Sequence, residues 1–480
     1  MASITSLGVG SGLDAESIIS KLVSVESQPL QLLQKQESAL KTQLSAFGKI
    51  QSLTSDLHDA ASGLASTSLW MQTVATSGDT SAVTATSASG AATGSYDVNV
   101  SALATVQTAT STAFASSNAQ LSSGRLTIEL GSWSGSPTDT FTAKSGATPV
   151  VVTIEPGQTS LTQIRDKINA SKAGVTASIV NDASGARLSI RSTDTGAENG
   201  FRLIANEDIG DWDESIGLSA LNYTALLPDS PMTCNQTAQN AQATINGIAI
   251  SSASNTLANV ADGLNLTLLK TTSSAVNVAV APDAESVRSK ITDFVKAYNA
   301  LNSYVRDQTK YDAASKTGGP LQGNRAAVGL QSQLRTVLNQ VSSASSAFGT
   351  LSDVGVLMRQ DGSLETKSSK LDAALGNLPE LRKLFSADTG TTASSGFMVR
   401  YRDLTGRVLD PDGSLSTVND SLNNRIKDLD KRQDAMNLRL TATQNRLRAQ
   451  YQALDTQISS LNGLGSYVTA QLAALNKSSG

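Results

Sequence analysis

Apolar positions recur at helical spacing through the first seventy residues. Ile18, Ile19, Leu22 and Val25 follow Asp14, a residue suited to an N-cap, with Glu16 in the first turn, so a helix is predicted to begin there. Pro29 interrupts the pattern and suits the opening of a second helix. In that helix Leu33, Leu40, Leu44, Phe47, Ile50, Leu53, Leu57 and Leu64 fall near spacings of three and four, one apolar stripe on a long element.

From about Thr76 to Ala284 the period changes to two. Tyr96, Val98 and Val100 alternate with polar residues, as do Leu126, Ile128 and Leu130. Thr244 to Ile250 centres on Asn246-Gly247, a strong hairpin signal. A short helix is expected from Ser160 to Ala170, because Leu161, Ile164 and Ile168 share a face, followed by strands at Val175–Val180 and Ala186–Ile190. The segment reads as two β-rich domains, the second inserted into the first.

The helical period returns at Glu285, where Val287, Ile291, Val295, Tyr298, Leu301 and Val305 line one face. Gly318-Gly319-Pro320 breaks it, another helix is predicted from Asn324 to Gln340, and Val354–Met358, Asp361-Gly362 and Leu364 predict a small hairpin. The last stretch is the clearest. Leu415, Val418, Leu422, Ile426 and Leu429 open a three-four pattern that continues through Met436, Leu440, Leu447, Tyr451, Leu454, Ile458, Leu461, Val468, Leu472 and Leu475. Charges of both signs lie between them, the grammar of a coiled coil with stutters.

The fold class expected is therefore α+β and multidomain. Long N- and C-terminal helices pair in coiled-coil fashion, and the β-rich domains are inserted at the far end of that pair, a rod with a knob. The expected divisions are an N-terminal helical segment 1–41, a helical domain 42–75 with 285–433 including the hairpin, a β-rich domain 76–118 with 240–284, an inserted β-rich domain 119–239, and a C-terminal coiled-coil segment 434–480. The last helix needs a partner. Ordering each residue costs about 1–2 kcal/mol, and one apolar residue in three or four returns only about 1.5–3 kcal/mol on burial.

Composition narrows the function. The chain has 480 residues, a net charge of -4, 16% charged and 4% aromatic residues. Ordinary domains carry about 25% charged residues. Ser, Thr, Ala, Gly and Asn fill the gap, which favours hydroxyl-rich β-domains over deep apolar pockets, and no field for nucleic acid arises. Cys234 is the single cysteine, so no intrachain disulfide forms. The N-terminus lacks the basic and apolar regions of a cleaved signal, and no apolar run is long enough to span a membrane.

A catalytic site is not expected. His58 is the only histidine, placed between Asp56 and Asp59 on what reads as a polar, solvated face. Zinc ligands do not cluster. Gly8 to Gly12 departs from GxGxxG because position 13 is Leu, and reads as a lead into the first helix. Asp410-Pro411-Asp412-Gly413 reads as a turn, and Glu207, Asp208, Asp211, Asp213 and Glu214 as a solvated loop rather than a calcium site. No metal and no cofactor are expected.

Several stretches resemble the family of flagellar filament caps, hook-associated protein 2. They are Ser6 to Asp14, Ile18 to Val23 with Glu26 and Gln28 to Leu30, then Gly319 to Asn324, Leu351 to Val356, and Asp361 to Glu365 with Lys370 to Asp372. Ala243 to Ile248, with Asn255-Thr256 and Asp262 to Leu266, resembles a motif of flagellin-like axial proteins, while the middle, 119–239, matches least specifically. The resemblance implies export through the flagellar type III apparatus with an export chaperone. It implies a ring-like homo-oligomer at the filament tip that retains flagellin and promotes its polymerisation, beside hook–filament junction proteins. The helical ends would be legs on filament subunits, and their interface residues would be Leu7, Ile18, Ile19, Leu22, Leu454, Ile458, Leu461, Val468 and Leu472. Another axial protein (a flagellin or a junction protein) and an adhesin binding host glycans are the alternatives; nucleic acid and membrane insertion are not expected.

Overall fold

The computed structural model describes residues 14–134, 140–208, 216–225, 230–314 and 316–478. It divides into two compact units: Met1–Leu69 with Ala284–Gly480, and Trp70–Asp283. The helices in chain order are α1 (Ala15–Glu26), α2 (Gln28–Ala65), α3 (Thr67–Trp70), α4 (Leu161–Ser171), α5 (Ala284–Thr309), α6 (Arg325–Leu338), α7 (Ser368–Leu375), α8 (Leu378–Ser386), α9 (Phe397–Leu409) and α10 (Ser414–Ser478). Of these, α4 lies in the β-rich unit and α3 runs across the division.

The helical unit is organised around α2, which packs against α5, α9 and α10. Phe47, Ile50, Leu57 and Leu64 of its stripe are fully buried, as are Ile291, Tyr298 and Leu301 of α5. Phe294 and Tyr401 meet edge to face at 5.1 Å, and the Tyr401 hydroxyl donates to the Leu334 carbonyl at 2.7 Å. A buried phenol needs that acceptor, and burial pushes Tyr401 well above the usual range. The helix expected near Asn324 is α6, whose cap is Asn324: its Oδ1 accepts from the amides of Ala326 and Ala327. The small hairpin forms between Val356–Met358 and Leu364–Thr366. Its turn contains Gly362 at a φ of 81°, a conformation that favours glycine.

Periodicity did not predict α7, α8 and α9. The first two span only eight and nine residues, too short for a clear stripe. Helix α9 buries an unbroken run from Phe397 to Tyr401, and that run includes Arg400, a cation at a core position. The missing α9 also explains an error over His58. It is not on a solvated face: its Nδ1 lies 3.1 Å from the Arg402 carbonyl and 3.0 Å from Thr405 Oγ1, half-buried against α9.

The β-rich unit is antiparallel throughout its described residues. One sheet of five strands runs in the order Thr73–Ser77, Val276–Pro282, Gly94–Ala102, Ala241–Ile245 and Ile248–Ser252. The last two are the hairpin at Asn246-Gly247, both with positive φ as a tight primed turn requires. A three-stranded sheet of Thr256–Ala261, Leu264–Leu268 and Val83–Ser87 shares its core, with Val98, Val100, Leu266 and Val278 buried.

A second core gathers around Gly124–Ser134. Gly200–Glu207 pairs along one edge of that strand, and Thr140–Ala143 and Val150–Ile154 pair along the other. Another four-stranded sheet orders Thr233–Gln236, Thr108–Thr110, Gly185–Ser192 and Val175–Asp182. Thr108–Thr110 thus lies before residue 119 yet pairs with Gly185–Ser192. Helix α4 carries a full capping box, Ser160 with Gln163, and buries Leu161, Ile164 and Ile168 as their spacing predicts. Buried Gln107 accepts from the Phe201 amide and donates to its carbonyl, joining strands far apart in sequence.

Candidate functional site

Helix α10 holds most of the residues expected to make contacts, and its surroundings change along its length. The chain enters α10 through the turn at Asp410–Gly413, where the Gly413 amide donates to the Asp410 carbonyl at 2.7 Å. Leu415, Leu422, Ile426 and Leu429 are then buried, in the part of the helix that packs on α2 and α9.

Three polar links fix the direction of the pairing. Asn419 donates to Gln51 at 3.2 Å, Gln433 donates to Glu37, and Arg448 pairs with Glu16. As the α10 number rises the partner number falls, so α2 and α1 run antiparallel to α10 one after the other. Ser27 joins those two helices, and Pro29 stands in the first turn of α2, where its missing N–H costs nothing. Lys41 first, then Gln433, hold the Glu37 carboxyl below its usual range. Asp14 caps α1 by accepting from the Ser17 amide at 3.1 Å.

Beyond Arg448 the helix continues to Ser478, a length of about 45 Å at 1.5 Å per residue. Its chemistry changes at the same place. Residues 414–448 hold 11 charged side chains, whereas residues 449–478 hold Asp455 and Lys477 alone. Apolar residues keep coming but are uncovered: Leu429 is 6% exposed, Leu454 40% and Leu461 67%, and Leu464, Tyr467, Val468 and Leu472 are likewise exposed. Exposed apolar patches of this kind are typical of interaction surfaces. The same stretch contains Gly463 and Gly465, each of which costs a helix about 1 kcal/mol relative to alanine.

The expected contact residues therefore occupy different environments. Ile19 is fully buried in α1, Ile18 and Ile458 are half-buried, and Leu22, Leu454, Leu461, Val468 and Leu472 are exposed. Leu7 lies outside the described residues, as do Gly8 to Gly12. Glu16 was read from sequence only as a first-turn acid, and Glu37, Gln433 and Arg448 were not singled out. A polar link between helices four hundred residues apart is visible only once their register is known.

The candidate chemistry elsewhere is thin. No group of three His, Cys, Asp or Glu among the described residues could hold a metal ion. Of the acidic loop, Glu207 uses Oε1 to accept from the Ser219 amide at 2.7 Å, while Asp211, Asp213 and Glu214 lie outside the described residues. An open cleft of about 1110 Å³ between α2 and α10 mixes both signs, Asp420 and Asp428 with Arg425 and Arg432. No helix among the described residues is long and apolar enough to cross a membrane.

The chain matches the family model for the flagellar hook-associated protein 2 N-terminus over residues 11–107 and that for its C-terminus over residues 238–463. A flagellin hook IN motif matches at residues 140–194, in the middle stretch whose resemblance was least specific.

Among similar proteins, flagellar hook-associated protein 2 of Escherichia coli K12 is 33% identical over 98% of both chains. That of Salmonella typhimurium is 31% identical over 100% of both. The crystal structure of the D1-D2-D3 domains of the flagellar cap protein FliD from Escherichia coli covers 79% of this chain and 99% of its own, at 31% identity and a TM-score of 0.56. On this end-to-end likeness, and on helical ends that enclose a β-rich unit in sequence, the chain belongs to the flagellar hook-associated protein 2 family.

Proposed function

We propose that this protein caps the distal end of a bacterial flagellar filament, where it retains exported flagellin and promotes its polymerisation. It acts as a structural, extracellular component and not as an enzyme. The observation that carries the reading is the likeness to hook-associated protein 2 over nearly the whole length of both chains. The uncovered stripe on α10 agrees with it, since a cap must hold protein surfaces outside itself.

In this reading the segments 1–41 and 434–480 are the legs that meet filament subunits. Leu7, Ile18, Ile19, Leu22, Leu454, Ile458, Leu461, Val468 and Leu472 belong to that contact and to contacts between copies in a ring. The partners are other copies of the chain, flagellin and hook–filament junction proteins, reached by export through the flagellar type III apparatus with a chaperone. Epitope-tagged protein imaged on intact filaments tests the placement. Label confined to the tips is expected, and label along the shaft contradicts it.

A further inference from the structure

The distal part of α10 carries features that weaken a helix, crowded into one place. Gly463 and Gly465 flank Leu464 inside the element, with Asn462 before them and Ser466 after. Nothing lies within 4 Å of the Cβ that an alanine would place at either glycine. Packing within the chain therefore does not require them, and alanine would make the better helix.

A second, independent observation involves hydroxyls. Thr456 donates to the Gln452 carbonyl and Ser460 to the Thr456 carbonyl, both at 2.9 Å, while Ser466 donates to Asn462 and Thr469 to Gly465. Such bonds back to the preceding turn compete with the helical ladder and bend helices, and Gly/Ser pairs are among the recurrent sites of kinks. Together the two glycines weaken the local helix about 30-fold relative to alanines. The buried stretch before Leu429 contains no glycine, although Thr417 there also donates back to the Gly413 carbonyl, and the uncovered residues Leu464, Tyr467, Val468 and Leu472 lie within or just beyond the weak segment.

We propose that α10 is jointed at Asn462–Ser466. The joint lets the last turns, with Tyr467, Val468 and Leu472, swing away from the axis of the α1–α2–α10 pairing and follow a partner surface not collinear with it. This rests on the docking reading above and adds that docking bends the helix.

Spin labels at Ala453→Cys and Ala474→Cys in the full chain, with Cys234→Ser, test the joint directly. A straight helix separates those positions by about 31 Å. A distance distribution with a shorter population is expected, collapsing to the single long distance in Gly463→Ala/Gly465→Ala. A single distance near 31 Å in the glycine-containing chain, or a spread that the alanines leave unchanged, overturns the proposal.

In cells the alanine pair should still be exported yet release several-fold more monomeric flagellin into the medium. Leu454→Asp/Leu461→Asp serves as the comparison. If the aspartates release flagellin and the alanines do not, the joint is dispensable although docking stands. If neither does, the docking reading itself fails and takes the joint with it. Release by the alanines with a straight helix in both chains assigns the glycines to close approach of a partner, against a joint.

Discussion

Single residues separate the helical pairing from the uncovered stripe. Ile19 and Leu22 lie three positions apart on α1, yet the first is fully buried and the second 44% exposed. Removing buried methyl groups costs transfer and cavity energy together. Ile19→Ala should therefore lower the free energy of opening α1 by about 2–4 kcal/mol, and Leu22→Ala by less than about 0.5 kcal/mol. Native-state hydrogen exchange of the α1 amides measures both. Equal effects would mean that Ile19 is not held as described.

Glu380 offers a second test at this scale. The Lys383 ammonium at 2.6 Å, then the Ser345 hydroxyl and the Ser346 amide, hold its carboxyl down to about 2 from an ordinary 4.5. A depressed carboxyl stabilises the fold above its unfolded value, and that contribution is lost as pH falls toward the folded one. The wild-type chain should therefore outlast Glu380→Gln at pH 5, with the gap closing between pH 4.5 and about 2. Thermal unfolding across that range reads it, and a gap independent of pH would assign the effect to something other than this charge.

At the scale of elements, the long stripes were legible and the short or masked ones were not. The Asp14 cap, the stripe of α2, the shared apolar face of α4 and the Asn246-Gly247 hairpin each follow from a local signal that the structure repeats. Helix α9 escaped because Arg400 sits in its core, where its guanidinium donates to the carbonyls of Val341, Ala393 and Ser395 and to Gln340 Oε1. A cation satisfied by carbonyls from two other segments looks, in one dimension, like a surface residue. His58 was misjudged for the same reason, since its partners are on α9.

Helix α10 shows what a continuous stripe conceals. Its apolar pattern runs on, with stutters, from Leu415 to Leu472, but burial stops well short of the end, and in sequence the change is marked by the drop from 11 charged residues to two and by Gly463 and Gly465. Helix with few buried apolar contacts opens at little cost. Amides of residues 452–472 should exchange at least a hundredfold faster than those of 422–432 in the unassembled protein. Comparable protection in the two stretches would show that the distal part is already covered.

For the whole molecule, the sequence order of helix, β and helix corresponds to two units joined by two chain crossings, near Leu69 and Asp283. The α+β class was legible because the apolar period changes from 3.6 to 2 and back, and each change falls close to a crossing. The uncovered apolar surface was legible only as a set of candidates. Which apolar residues stay uncovered depends on register, and register is set by links such as Glu16 to Arg448 that no local pattern contains.

The central claim is that uncovered residues of α10 hold a cap in place against escaping flagellin. Leu454→Asp with Leu461→Asp puts two carboxylates where apolar side chains would be buried, at a cost of several kcal/mol unless the helix undocks. Undocking is cheaper, so the β-rich unit should still fold and the chain should still be exported. The decisive measurement is the amount of monomeric flagellin in the growth medium of cells carrying the double variant. The account predicts a large increase, with filaments short or missing although flagellin itself is unchanged. Filaments of ordinary length with no flagellin released would contradict it.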